Sequence, residues 1–156
     1  MKKWLCLFLI SFVWATSCRR AEPSIDWSDF DPTHIDDDLS QRGPLGNYRV
    51  VFTQNKIGAY GEKELIKFAR SNGWNLLKTE KEDTQLMSMA HHLYDEMLGD
   101  KENTLPSWFN NSKNTYYSFS VRFKTDKGKE ESLNTSVLVS ADESAMCAYN
   151  VKFYGK

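Results

Sequence analysis

The amino-acid pattern predicts an α+β domain: a two-layer sandwich with two amphipathic helices on a mainly antiparallel sheet that ends in a three-stranded meander. The expected order is β-α-β-α-β-β-β. Three observations lead there. Apolar and polar residues alternate from Tyr117 to Lys124, from Leu133 to Val139 and from Cys147 to Phe153, the pattern of half-buried strands. Apolar residues recur at spacings of three and four from Glu62 to Asn72 and from Thr84 to Leu98, which marks two helices with one apolar stripe each. Aromatic residues make up 13% of the chain, enough bulk to form a packed core rather than a disordered coil.

The ordered region is expected to begin near Asn47. Tyr48 to Thr53 is rich in β-formers around a central apolar block, so it reads as a buried strand. A loop with Gly58 and Gly61 leads into the first helix. Leu65, Phe68 and Ala69 form its stripe, with Glu62 and Glu64 at the start and Lys67 and Arg70 toward the end, as the helix dipole favours. Gly73 suits the left-handed cap, and Trp74 can pack back on the last turn. Asn75 to Glu80 is short and half polar, which predicts an edge strand that completes a β-α-β unit.

The second helix carries Leu86, Met89, Ala90, Leu93 and Met97 in one stripe and stops at Gly99. A polar loop follows through Pro106, Ser107, Trp108 and Phe109 to Asn114. Turns at Asp126–Lys129 and Ala141–Ser144 then join the last three strands into a meander. Cys147, Tyr149, Val151 and Phe153 form the inward face of the last strand.

Ahead of this domain, Arg19 to Gly46 has no hydrophobic period. It sets Glu22 and six aspartates against three arginines, with Pro23, Pro32 and Pro44 between them. Such a segment does not bury enough apolar surface to offset its ordering entropy. It reads as a flexible tether, residues 18–46, whose coil dimension is roughly 30 Å. Trp27 and Phe30 stand out as acid-flanked aromatics that either fold back on the domain or dock on a partner. The acids lack the glycine and closing glutamate of a calcium loop.

The first residues have a separate logic. Lys2 and Lys3 precede an apolar run from Trp4 to Trp14, and Ala15-Thr16-Ser17 leads to Cys18. Charge, short apolar core and small residues make a secretory signal. The run is about half the ~20 residues needed to span a bilayer. With a cysteine directly after the small residues, residues 1–18 resemble a bacterial lipoprotein signal with a lipobox. Ala15 stands where leucine is favoured. The resemblance implies cleavage after residue 17, acylation of Cys18 and an exported, membrane-anchored protein. Arg19 resembles sorting to the outer membrane, since the retention signal of enteric bacteria is an aspartate there.

Loss of Lys2 and Lys3 takes the net charge from −1 to −3, so no basic excess attracts nucleic acid. Cys6 leaves with the signal and Cys18 takes lipid. Cys147 is then alone, which excludes a disulfide framework. Its strand position is apolar, so the thiol should be inert.

Catalytic and metal signatures are incomplete. His91 with Asp95, and His92 with Glu96, lie four apart on the second helix, yet no further ligand or HExxH pattern completes a site. The serines fit neither GxSxG nor SxxK. Gly58 and Gly61 fit no phosphate-loop spacing. No catalytic residue, metal or cofactor is assigned. The reading is a small envelope lipoprotein that binds a protein partner, of immunity or assembly-accessory type, with Trp27, Phe30, Trp108, Phe109 and Tyr116 as interface candidates. Trp108 and Phe109 alternatively cap the core. The competing readings are a cell-envelope hydrolase, using Asp95, Glu96 or Glu143 with His91 or His92, and a small-molecule carrier with a pocket between helices and sheet.

Overall fold

The computed structural model describes residues 23–43, 46–81 and 105–153. These form one six-stranded, wholly antiparallel sheet: β1 (His34–Gly43), β2 (Gly46–Gln54), β3 (Asn75–Glu80), β4 (Thr115–Lys124), β5 (Glu130–Val139) and β6 (Ala145–Phe153). The spatial order is β1-β2-β6-β5-β4-β3. Helix α1 (Glu62–Ser71) is the single α-helix among the described residues, and a 3-10 turn covers Trp27–Asp29.

The fold is therefore mostly β, and the expected sandwich of two helices on a sheet is corrected. The predicted second helix, Thr84–Leu98, lies outside the described residues. The sheet gains one strand that the reading missed. β1 falls in the stretch read as tether, and Leu39 is its one buried hydrophobic residue among those whose side chains are described. An edge strand takes its place through backbone pairing with β2 and tolerates outward acids, so it carries little hydrophobic alternation. Its register with β2 runs from His34 opposite Gln54 to Gly43 opposite Gly46, with an irregularity between Ile35 and Asp37.

The alternating antiparallel pairs make β2 and β3 run in the same direction. α1 therefore crosses over the three strands β6, β5 and β4 that separate them. Leu65 and Ala69 are its buried residues. Gly73 takes φ +81°, a left-handed conformation that glycine adopts without a Cβ penalty. This brings Trp74 N–H back to the carbonyl of Ala69 at 2.9 Å, and Trp74 is buried.

Both faces of the sheet are covered. On one, the row Tyr117, Val137, Ala148 lies under α1 in a cluster with Ile25, Trp27, Tyr60, Leu65 and Phe119. On the other, the row Tyr116, Leu138, Cys147, Phe52 is joined by Phe109, with Leu105 and Trp108 against it. Cys147 and Tyr149 thus point away from the face of Tyr117 and Phe119. Among the described residues, a turn of loop at Leu105–Phe109 covers that side. Asn114 Nδ2 clasps it by donating to the carbonyls of Trp108 (2.9 Å) and Phe109 (3.0 Å).

The segment read as tether is integral to the core from Ile25 onward. Trp27 is 0% exposed, with its ring 5.3 Å from Phe119 and 5.6 Å from Phe68. Its Nε1 donates to Thr135 Oγ1 at 3.1 Å. Asn150 Nδ2 donates to the carbonyl of Ile25 at 3.2 Å. A full side chain of this size removes ~150–250 Å² from water, which outweighs the acidity of its neighbours.

Candidate functional site

The five aromatics nominated as interface residues divide. Trp27, Phe109 and Tyr116 are buried, and Tyr116 shares a 2.7 Å hydrogen bond with Ser136 Oγ. They hold the fold and present no surface to a partner. Trp108 is half-buried and packs on Phe52 and Phe109, with ring centroids 6.5 and 5.9 Å away. Phe30 alone lies half-buried beside an open cleft. Cys18, His91, His92, Asp95 and Glu96 lie outside the described residues. Cys147 is fully buried, and burial pushes its thiol pKa well up.

The glycine loop ahead of α1 has a structural account. Gly58 takes φ +79°. Gly61 is the N-cap of α1 and has no side-chain cap bond. A Cβ built on Gly61 would stand 3.0 Å from Glu143 Oε2. The Glu143 carboxylate therefore lies beside the end of the helix that attracts anions. That position is taken by the protein's own negative charge, which opposes a phosphate there.

The cleft has a volume of about 730 Å³ and three walls. One is Asp29–Thr33, the second is the loop from Asn55 to Ala59, and the third is the side of α1 bearing Glu64, Lys67, Phe68 and Ser71. Phe30 and Phe68 meet edge to face at 4.7 Å, and Phe30 lies 5.6 Å from Tyr60. Burial raises the Tyr60 hydroxyl pKa, opposed by its hydrogen bond with Thr53, to which it donates at 2.8 Å. Carboxylates of Asp29, Asp31 and Glu64 and ammonium groups of Lys56 and Lys67 surround this aromatic strip.

The loop wall is braced from behind. Asn55 N–H donates to Ser144 O at 2.8 Å, Gly58 N–H to Asp142 O at 3.0 Å and Tyr60 N–H to Glu143 O at 2.9 Å. It is also tied to the facing wall, because Asn55 Nδ2 donates to Asp31 O at 2.7 Å. The receiving turn is itself fixed by Asp142, whose carboxylate accepts from Ser140 Oγ and Ser144 Oγ, both at 2.7 Å. These bonds hold the Asp142 pKa down at about 2. At the tip of the braced loop Ile57 is 77% exposed, an apolar side chain that the protein's own core does not use.

The two hydroxyl groups of the cleft are committed: Thr33 Oγ1 donates to Gln54 O at 3.0 Å and Ser71 Oγ to Phe68 O at 2.7 Å. A hydroxyl whose proton lies on a carbonyl has no general base to make it a nucleophile. Among the described residues no group of three His, Cys, Asp or Glu is placed to hold a metal ion. The space between α1 and the sheet, where a carrier would keep its ligand, is filled by Trp27, Tyr60 and Phe119.

Sequence reasoning missed Lys56, Ile57, Glu64 and Lys67 as site residues. A usable signal was present: an isoleucine in a short glycine-bounded loop, with no apolar periodicity to bury it. No protein-family model, characterised protein or solved structure matches this chain.

Proposed function

We propose that this chain is an exported envelope lipoprotein, anchored through Cys18 and facing the periplasm from the outer membrane, whose domain binds a protein partner. The observation that carries the binding role is the braced cleft. It combines an aromatic strip, charges of both signs and the exposed Ile57, with both hydroxyls already hydrogen-bonded to backbone carbonyls. Rigid walls bind at lower entropic cost than mobile ones, and apolar anchors ringed by polar groups are the usual form of a protein contact. The lipobox-like residues 1–18 support the anchor. A partner of the immunity or assembly-accessory type suits a small domain held at a membrane.

The experiment is a cross-linked pull-down from intact cells. It compares the wild type with Cys18→Ala and with the cleft variants Ile57→Ser and Lys56→Glu/Glu64→Lys, read by mass spectrometry. One protein recovered stoichiometrically with the wild type, and lost with the cleft variants at unchanged thermal stability, supports the reading. Recovery of the same protein by the cleft variants would place the contact elsewhere, and cell-wall fragments in place of a protein would replace binding with envelope chemistry.

A further inference from the structure

On α1, Lys63, Lys67 and Arg70 recur at spacings of four and three residues, so they share one face of the helix. All three are exposed, while Leu65 and Ala69 on the other side are buried. None of the three forms an ion pair or a side-chain hydrogen bond with the described residues, whereas Arg49, Lys78 and Lys129 all do. With Ile66 they line a shallow groove of about 650 Å³ on the outer surface of the helix, bounded at one end by Glu62. Ile66 is partly buried against the core cluster beneath the helix. Three exposed cations in a row, without an ionic partner among the described residues and beside an apolar side chain, form the arrangement that anionic headgroups attract.

A second observation concerns the anchor. Ile25, seven positions after Cys18, is the first buried residue among those described. Seven residues span at most about 25 Å when fully extended. Ile25 and Trp27 lie in the cluster beneath α1, and Phe30 packs on Phe68 of that helix. The chain therefore joins the domain on the same face of the sheet that α1 covers. Arg19 and Arg20 stand in the sequence directly after the anchor residue.

We infer that the outer face of α1, through Lys63, Lys67 and Arg70, is a docking surface for an anionic lipid headgroup layer. It lays the domain against the membrane with the Phe30–Phe68 cleft opening to the side, and Lys67 stands at the edge the two surfaces share. The orientation and the choice of occupant rest on the lipid-anchor reading, while the cationic stripe is a feature of the helix itself. The occupant is the lipid layer rather than an acidic protein because the stripe and the attachment point share one face within that short reach.

The test uses the chain from Cys18 onward, which carries every described element, made without lipid. Co-sedimentation is measured on vesicles of phosphatidylcholine with about one-third phosphatidylglycerol, and on phosphatidylcholine alone. Salt-sensitive binding is expected on the anionic vesicles only. Each cation contributes about a fivefold gain near such a surface, so Lys63→Gln/Lys67→Gln/Arg70→Gln should weaken binding roughly 100-fold. Arg122→Gln/Lys124→Gln/Lys127→Gln should leave it within about twofold and controls for bulk charge. Equal loss in both triple variants, equal binding to neutral vesicles, or tighter binding to polyglutamate than to the anionic vesicles would overturn the assignment. Detergent phase partition of the protein from cells, against Cys18→Ser, reads the anchor separately. Vesicle binding without that partition would sink the anchor alone, and partition without vesicle binding would sink the surface alone.

Discussion

Trp27 Nε1 donates a 3.1 Å hydrogen bond to Thr135 Oγ1, tying the first buried turn to the middle of β5 across 108 positions of sequence. Thr135 Oγ1 lies 3.1 Å from the Tyr149 carbonyl and also meets Asn150 Oδ1, so the indole completes a buried polar group shared by two strands. Trp27→Ala should cost ~3–5 kcal/mol through the cavity it leaves. Trp27→Phe keeps most of the apolar area and should cost ~1–3 kcal/mol, chiefly by leaving Thr135 short of a donor. Urea unfolding followed by circular dichroism checks both. A Trp27→Ala change of under ~1 kcal/mol would mean that the segment is not part of the cooperative unit.

That bond also shows where the sequence was readable. α1 and β4 to β6 advertise themselves, because each puts apolar residues at a regular period and is closed by glycine or a turn. The Trp27 segment and β1 do not. One is held by a few apolar side chains at irregular spacing, a hydrogen bond from Trp27 and the Asp26–Arg49 ion pair. The other is held by backbone pairing at a sheet edge with three successive aspartates. Composition averaged over that stretch says coil, since the stabilising groups are few and their partners are far away in sequence. The cleft was illegible for the same reason: its three walls come from segments whose neighbours are set only by the completed sheet.

Arg49 gives the N-terminal segment a pH dependence. It pairs with Asp26 at 2.8 Å and with Asp38 through Nε at 2.8 Å and Nη2 at 2.7 Å. Burial pushes the Asp26 carboxyl up, and hydrogen bonds from Arg49 and Ser28 outweigh it, so its pKa lies below 3.8. A carboxylate depressed in the folded state contributes stability that is present above its unfolded pKa and lost as pH falls through its folded one. The protein should therefore weaken as pH drops below about 4. Arg49→Met should reduce the Asp26 part of that slope, leaving the share due to Ser28, and cost about 1 kcal/mol at neutral pH, since these half-exposed pairs are screened. Melting temperatures of both proteins between neutral pH and pH 3 check the sign. An unchanged slope in the variant would assign the acid sensitivity to Asp142, held at about 2 by Ser140 and Ser144.

Gly61 and Glu143 are coupled by the 3.0 Å space that separates a Cβ on the first from the carboxylate of the second. Gly61→Ala should displace that carboxylate from the start of α1 and cost about 0.5–1 kcal/mol, the usual worth of a charge at a helix end. In a Glu143→Ala background the same substitution should cost less, keeping only the preference for glycine over alanine at an N-cap, a non-additivity that a double-mutant cycle measures. Glu143 has a second reporter. Burial first, and then the charges of Glu62 and Glu143, push the Tyr117 hydroxyl pKa up to about 12. Glu143→Ala should bring it partway back, which alkaline absorbance titration follows against Tyr117→Phe. Strict additivity in the cycle and an unmoved Tyr117 titration would show that the two residues act independently.

Cys147 sits in β6 between Phe52 and Leu138 of the neighbouring strands and is 0% exposed. Two effects suppress its reactivity. Burial raises the pKa and so depletes the thiolate, the form that attacks a disulfide reagent, and the packed face beneath Phe109 excludes the reagent itself. Labelling in the native state should then proceed only through opening of the sheet, at a rate that follows unfolding rather than reagent concentration. Phe109→Ala tests the lid directly. It should cost ~3–5 kcal/mol by the cavity left beside Phe52, and it should speed labelling of Cys147 by the factor by which it speeds unfolding. If Phe109→Ala were as unstable as expected yet left the labelling rate unchanged, the thiol would be reached from another side, and the loop at Trp108–Phe109 would not be what shields this face of the sheet.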